Sequence, residues 1–288
     1  MESLSDHILN VFNRPVKPFN VEDFGGLSQD EYILNDVIMC RKCETPRMHV
    51  NEQFNIRVRC RCECQAEEYD KAEKDRERQR EIERLQRASL IGERYQKVNF
   101  ELTETGHNPT FDAAFARCRK YCEVSDKVLA AGLGIYLYGD KGTGKTHLTA
   151  CMANALISQC KQVLFTNFME ISKLLRATFG KQNVSEAEYI NKLATIDFLF
   201  IDDLGTERVQ TKDGDLWLQE KIFDILNKRY NNKKPTIFTS NYNIQELITE
   251  RGFAERTVDR IVEMSGAILK IEGDTYRLKA RSAVELPF

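Results

Sequence analysis

The sequence predicts an α/β fold, a parallel sheet flanked by helices, behind a small cysteine-bearing module and a charged helix. Three observations carry that expectation. From about residue 96, short apolar, β-rich runs alternate with longer helical patterns, as they do when crossover helices join parallel strands. The first of those runs leads straight into a glycine-rich loop that opens a helix. Five of the nine cysteines lie between Cys40 and Cys64, well ahead of the alternating region.

Residues 1–65 mix aromatic residues and prolines with the cysteines and hold no long periodic pattern. Cys40-x-x-Cys43 and Cys60-x-Cys62-x-Cys64 have the layout of paired zinc knuckles, since zinc takes four thiolates at tetrahedral corners. Five candidates compete for four places. The two close-spaced pairs Cys40, Cys43, Cys60 and Cys62 are the favoured set, with Cys64 an alternative ligand or a free thiol. So short a segment has little core, and zinc would contribute much of its folding energy. Redox chemistry and an iron–sulfur cluster are the rival readings. Cys118, Cys122, Cys151 and Cys160 fall in helical patterns and read as small core fillers. Residues 66–95 read as a charged helical linker: 15 of the 22 residues from 66 to 87 are charged, with no Gly or Pro. Opposite charges recur at helical spacing in Glu67/Lys71, Asp70/Lys74, Glu83/Arg87, Glu73/Arg76 and Glu81/Arg84. Only Ile82, Leu85 and Leu90 offer an apolar stripe.

The domain expected over 96–288 has five strand candidates: Ile135–Tyr138, Val163–Thr166, Phe198–Ile201, Thr236–Thr239 and Ile268–Ile271. The first runs into Gly139-Asp140-Lys141-Gly142-Thr143-Gly144-Lys145-Thr146, followed by a helix from His147 to Gln159. This is a P-loop in the context that confirms it. Its glycines let successive N–H groups turn inward on a phosphate, and the helix N-terminus adds its positive end. Lys145 supplies a point charge to the β- and γ-phosphates of ATP, and Thr146 a hydroxyl to Mg²⁺. Asp202 and Asp203 end the next buried strand. The first is placed to hold Mg²⁺ through water, the second to orient or deprotonate an attacking water. Asn241 ends the Thr236–Thr239 run. It reaches the γ-phosphate if that strand lies between the P-loop strand and the Asp202 strand. Arg256 and Arg260, four apart on one helix face, read either as surface salt-bridge partners or as arginine fingers for a neighbouring subunit, which requires self-association.

Composition sets bounds on these readings. Lys plus Arg (42) nearly cancels Asp plus Glu (44), so any nucleic-acid surface is local. No apolar run is long enough for a membrane span, and the N-terminus lacks a signal-peptide layout. With unpaired cysteines, this places the protein in the cytoplasm, free of membrane contact.

P-loop, acidic pair, strand-end Asn and late arginines, in this order, resemble an AAA+ ATPase. The wording resembles most the bacterial and phage replicative-helicase loaders of the DnaC/DnaI type, with the transposition ATPase IstB as their relative. Gly139–Leu148, Ile201–Gly205, Pro235–Tyr242, Glu255–Met264 and Gly273–Arg277 carry the likeness. Gly92–Phe100 resembles the family's lead-in to the nucleotide pocket. The resemblance implies a Mg-dependent ATPase that switches between ATP and ADP states. It also implies an N-terminal region that grips a hexameric replicative helicase, and contact with single-stranded DNA. Phe179 and Trp217 match the family's DNA contacts, near Arg176, Lys181, Arg208 and Lys212, though both aromatics also read as core residues. Seventeen residues remain after Ile271, too few for the full C-terminal lid of a general AAA+ protein. Asp203 stands where many AAA+ proteins have Glu, which implies slow hydrolysis. An excess of basic residues around the cysteines suits either DNA or the helicase. Rival readings are an IstB-like transposition-targeting ATPase, a non-catalytic nucleotide-holding interaction protein and a P-loop kinase.

Overall fold

The structure, a computed structural model, describes residues 19–51, 56–177, 186–206, 213–273 and 275, without the side chains of 213–216. The expectation of a missing lid falls almost wholly outside them. The chain forms two compact units, Met1–Gln79 and Arg80–Phe288.

The smaller unit holds two antiparallel hairpins. Strands β1 (Glu31–Leu34) and β2 (Val37–Cys40) pair around Asn35-Asp36. Both turn residues take positive φ (50° and 61°), the two-residue geometry that matches strand twist and favours Asn and Asp. Strands β3 (Met48–Asn51) and β4 (Ile56–Arg59) form the second hairpin, and helix α1 (Glu63–Ala88) follows. The carboxylate of Glu31, 2% exposed, sits between Arg47 (3.2 Å) and Arg59 (2.7 Å). Burial would raise its pKa, but the Ser28 amide and the two guanidiniums hold it down, to about 2. In α1, Glu81–Arg84 and Glu83–Arg87 close as ion pairs.

The larger unit begins inside α1. Ile82 and Leu85 pack into its core while Leu90 stays exposed, so the packing reaches back before residue 96, where the sequence suggests a boundary. Helices α2 (Pro109–Glu123) and α3 (Ser125–Ala131) follow. The five expected strands all form: β5 (Gly134–Gly139), β6 (Val163–Asn167), β7 (Phe198–Leu204), β8 (Thr236–Ser240) and β9 (Ser265–Ile271). They make one parallel sheet in the order β6-β7-β8-β5-β9. Helix α4 (Lys145–Ser158) follows β5. Helices α5 (Phe168–Ala177) and α6 (Glu186–Thr195) lie between β6 and β7. Helix α7 (Asp213–Asn231) precedes β8, and α8 (Ile244–Thr249) and α9 (Glu255–Met264) follow it.

Continuous apolar runs make these strands because both sheet faces are covered. Side chains alternate between two cores. Ile135, Leu137, Phe198, Phe200 and Ile237 enter one with α2 and α4. Tyr136, Leu199, Ile201 and Phe238 enter the other with α5, α6, α7 and α9. Strand C-terminal ends then collect at one edge, where parallel α/β sheets bind ligands. At the opposite edge Arg229 is wholly buried. It donates to the carbonyls of Leu193, Ile196, Asp197 and Pro235 and to the Thr236 hydroxyl, joining the end of α6 to the starts of β7 and β8. Burial pulls its pKa down, and the ring of acceptors offsets that desolvation. Replacing Arg229 with Leu is expected to cost at least about 3 kcal/mol, since each buried acceptor left without a donor costs about 1–3 kcal/mol. A lowered urea midpoint at unchanged slope measures it.

Candidate functional site

Three strand ends converge on the start of α4. The P-loop leaves β5 with Gly142 and Gly144 at φ 84° and 97°, values that side-chain-bearing residues rarely adopt. Lys145, 5% exposed, donates to the carbonyls of Gly139 and Asp140, each at 2.7 Å. Buried Thr143 closes the loop by donating to the Asp140 carbonyl at 2.9 Å. Thr146, in the first turn of α4, donates its hydroxyl toward both oxygens of Asp202, each at 3.1 Å. The Asp202 carboxyl also accepts from Thr239. Burial pushes the Asp202 pKa up, and the hydroxyls of Thr239 and Thr146 pull against it.

Strand β8 lies between β5 and β7, the condition under which Asn241 reaches the site. Pairing of β7 with β8 slips after Ile201, and Asp203 takes φ 55°. Asp203 and Asn241 thereby line one cavity of about 590 Å³ together with Lys141, Gly142, Gly144, Lys145, Thr146 and His147. Gly139, Asp140, Thr143 and Asp202 stand behind that lining as backbone and hydrogen-bond supports. His147 meets the Thr103 hydroxyl at 2.9 Å, and burial with the nearby Arg94 charge lowers its pKa.

The far wall comes from Arg94, Tyr95, Val98, Leu102, Thr103, Glu104, His107 and Phe111. Asn154 of α4 fastens this wall, its amide donating to the carbonyls of Tyr95 and Val98 at 2.8 Å each. Residues 92–100 thus border the P-loop, as the family likeness implies. Thr239 and the 102–107 segment are absent from the sequence reading. A hydroxyl inside the apolar run before Asn241 is the signal that would have found Thr239. The donor set fits a magnesium nucleotide: an amine on loop carbonyls, a hydroxyl shared with a buried carboxylate, and glycines that leave the loop open to phosphate.

Arg256 and Arg260 are not part of this cavity. The buried face of α9 is Thr257, Val258, Ile261 and Met264. The two guanidiniums instead lie over rings of α7, Arg256 on Phe223 (4.8 Å) and Arg260 on Tyr230 (4.2 Å). Trp217 is half-buried against the core, with Arg176 5.9 Å and Lys221 6.0 Å from its ring centre. Phe179, Lys181, Arg208 and Lys212 lie outside the described residues.

In the smaller unit, Cys40, Cys43, Cys62 and Cys64 bring four sulfurs within 4.8 Å of one another. The pairs Cys40–Cys64 and Cys62–Cys64 are 3.7 and 3.4 Å apart. A tetrahedral zinc with Zn–S near 2.3 Å requires edges of about 3.8 Å, so the cluster could hold that ion. Cys60, among the favoured four in the sequence, is the correction. Its N–H continues the hairpin by donating to the Arg47 carbonyl, and its exposed thiol turns to the Pro46 carbonyl. The first turn of α1 curls Cys64 into the set instead. The Thr45 hydroxyl holds the Cys43 thiol down, to about 5. Burial works against ionising Cys62, but Arg47, 3.4 Å from its sulfur, lowers its pKa.

Residues 70–284 match the family described as IstB-like ATP binding protein. The chain belongs to that family. It is 31% identical over 166 residues to the replicative helicase loader DnaC of Escherichia coli, covering 57% of this chain and spanning 63% of that relative's length. It is 30% identical over 205 residues to the phage-like element PBSX protein XkdC of Bacillus subtilis, 70% of this chain and 74% of the other. A solved DnaC helicase loader shares the fold at 27% identity and TM-score 0.52, over 62% of this chain and 99% of that one. No described helix is long and apolar enough to cross a membrane.

The four-thiol geometry makes a direct prediction. Replacing Cys60 with Ser is expected to leave the thiolate-to-cobalt absorption of a cobalt-loaded chain intact. Replacing Cys64 with Ser is expected to abolish or shift it.

Proposed function

We propose that this protein is an ATP-dependent loader that binds a hexameric replicative helicase through its N-terminal module and places it on single-stranded DNA. The observation that carries the proposal is the convergence of Lys145, Thr146, Asp203 and Asn241 on one cavity, in a chain whose relatives include DnaC loaders. Family membership supports ATP binding and hydrolysis, with ADP as product.

ATP supplies the transferable phosphoryl group, and Thr146 and Asp202 would hold a magnesium ion that would neutralise charge on its phosphates. Lys145 leaves the loop carbonyls to neutralise phosphate oxygens. Asp203 accepts a proton from the water aimed at the γ-phosphorus, and Asn241 orients that water and registers the phosphate beside it. Asp203 is a methylene shorter than the Glu of many AAA+ proteins, which suits a slow switch. Arg256 and Arg260 do not line their own cavity and serve a neighbouring copy as arginine fingers. Cys40, Cys43, Cys62 and Cys64 would hold a zinc ion that ties the helicase-binding module together, and a reducing cytoplasm keeps those thiols out of disulfides. Trp217, with Arg176 beside it, contacts single-stranded DNA by stacking.

The family description itself favours a second reading, an IstB-like transposition-targeting ATPase. The two differ in partner. Pull-down of the source organism's replicative helicase in ATP and in ADP is expected to capture it in a nucleotide-dependent manner. Filaments on duplex DNA with no helicase captured would replace the loader reading with the transposition one. Lys145→Ala is expected to end hydrolysis while helicase capture persists. Asp203→Asn is expected to lower kcat by roughly 10²–10⁴, the usual contribution of a general base. Full activity in Asp203→Asn would assign the base elsewhere.

A further inference from the structure

The turn that carries Asp203 is fastened by a residue outside the nucleotide cavity. At φ 55° an aspartate backbone stays put only where its surroundings impose the conformation. The Asp203 N–H donates to the Thr239 hydroxyl at 2.9 Å. Its carbonyl accepts from the Thr206 N–H at 3.2 Å and from the Thr206 hydroxyl at 2.7 Å. The Thr206 carbonyl in turn accepts from Arg251 Nη2 at 2.8 Å.

That guanidinium lies 4.7 Å over the ring of Tyr242, the neighbour of Asn241. Gly205 packs between them: a Cβ there would stand 2.8 Å from Leu247, 3.2 Å from Tyr242 and 3.5 Å from Arg251. Arg251 therefore spans the loop after β7 and the loop after β8, the two that carry Asp203 and Asn241. Its Nε is buried with no acceptor among the described residues.

Arg251 is itself braced. Gln219 of α7 donates to the Gly252 carbonyl at 3.3 Å and accepts from the Ala254 N–H at 3.2 Å. Phe253 is buried edge-on against Phe168. The same braced loop leads into α9, which carries Arg256 and Arg260.

We propose that Arg251 is a positioning residue for ATP hydrolysis, holding the Asp203 turn and the Asn241 loop in register through Thr206 and Tyr242. The inference rests on Asp203 being the base. Arg251 does not itself line the nucleotide cavity, although Thr206, which it holds, does, so its loss is expected to lower turnover more than it weakens nucleotide binding. The test compares ATPase kinetics, affinity for a fluorescent ATP analogue and melting temperature in wild type, Arg251→Met, Arg251→Lys and Tyr242→Leu. Arg251→Met is expected to lower kcat about tenfold with nucleotide Kd within about twofold, a loss in the range of small misplacements at a catalytic group. Arg251→Lys is expected to recover most of that rate, since an ammonium reaches the Thr206 carbonyl. Tyr242→Leu, which keeps the arginine and removes its support, is expected to lower kcat as well, and it decides the matter if Arg251→Met does not fold. Wild-type kcat in Arg251→Met and Tyr242→Leu would overturn the proposal. A Kd that weakens as much as kcat falls would overturn it equally. A wild-type chain with no ATPase activity would instead remove the hydrolysis reading on which the proposal rests.

Discussion

The hydroxyl of Thr146 meets the carboxylate of Asp202 across a gap that two backbones cannot close by themselves. Strands β5 and β7 are not neighbours, for β8 runs between them, and at about 4.8 Å per strand step their axes lie nearly 10 Å apart. The reach is made from both sides, by the first turn of α4 and by a carboxyl at the end of β7. Thr239, on the intervening strand, binds the same carboxyl and the Asp203 amide. One strand order therefore brings Thr146, Asp202, Asp203 and Asn241 to the same end of the sheet at once. Had β8 added at the outer edge of β7, Asn241 would stand beyond the acidic pair and away from the P-loop.

The sheet and most of this site were legible because their signals are local. Runs such as Phe198–Ile201 are apolar without interruption, and only a strand buried on both faces uses such a run. The P-loop carries its chemistry in consecutive residues. Less legible features are those in which distant segments meet. Arg229 reads as one more basic residue near the end of a helix. Its burial depends on four carbonyls that no sequence pattern marks. Cys60 and Cys64 are equivalent by spacing, and what separates them is where the hairpin stops and the helix begins. The hairpin at Asn35-Asp36 is absent from the sequence reading, because strands of four residues leave no long periodic pattern and neither turn residue is a glycine.

Buried charge in the two units is handled by different means. Glu31 is ionised between two guanidiniums, and one of them, Arg47, also touches the sulfur of Cys62. The hairpin ion pair and the thiol cluster therefore share a side chain. Arg229 has no carboxylate partner in its hydrogen-bond set and is solvated by four backbone carbonyls and the Thr236 hydroxyl. The first arrangement is open to metal and solution conditions through its thiols. The second is a fixed brace at the edge of the sheet away from the nucleotide.

The aromatic rests beneath Arg256 and Arg260 have an entropic consequence. A free arginine samples many rotamers, and immobilising a rotamer-rich side chain on association costs about 0.5–1.5 kcal/mol. Phe223 and Tyr230 are two helical turns apart on α7, and the two arginines are one turn apart on α9, so each guanidinium has its own ring. Both side chains are thus narrowed in conformation before any second molecule arrives. Any molecule that engages these two arginines therefore meets side chains with little disorder left to lose on contact or to regain on release.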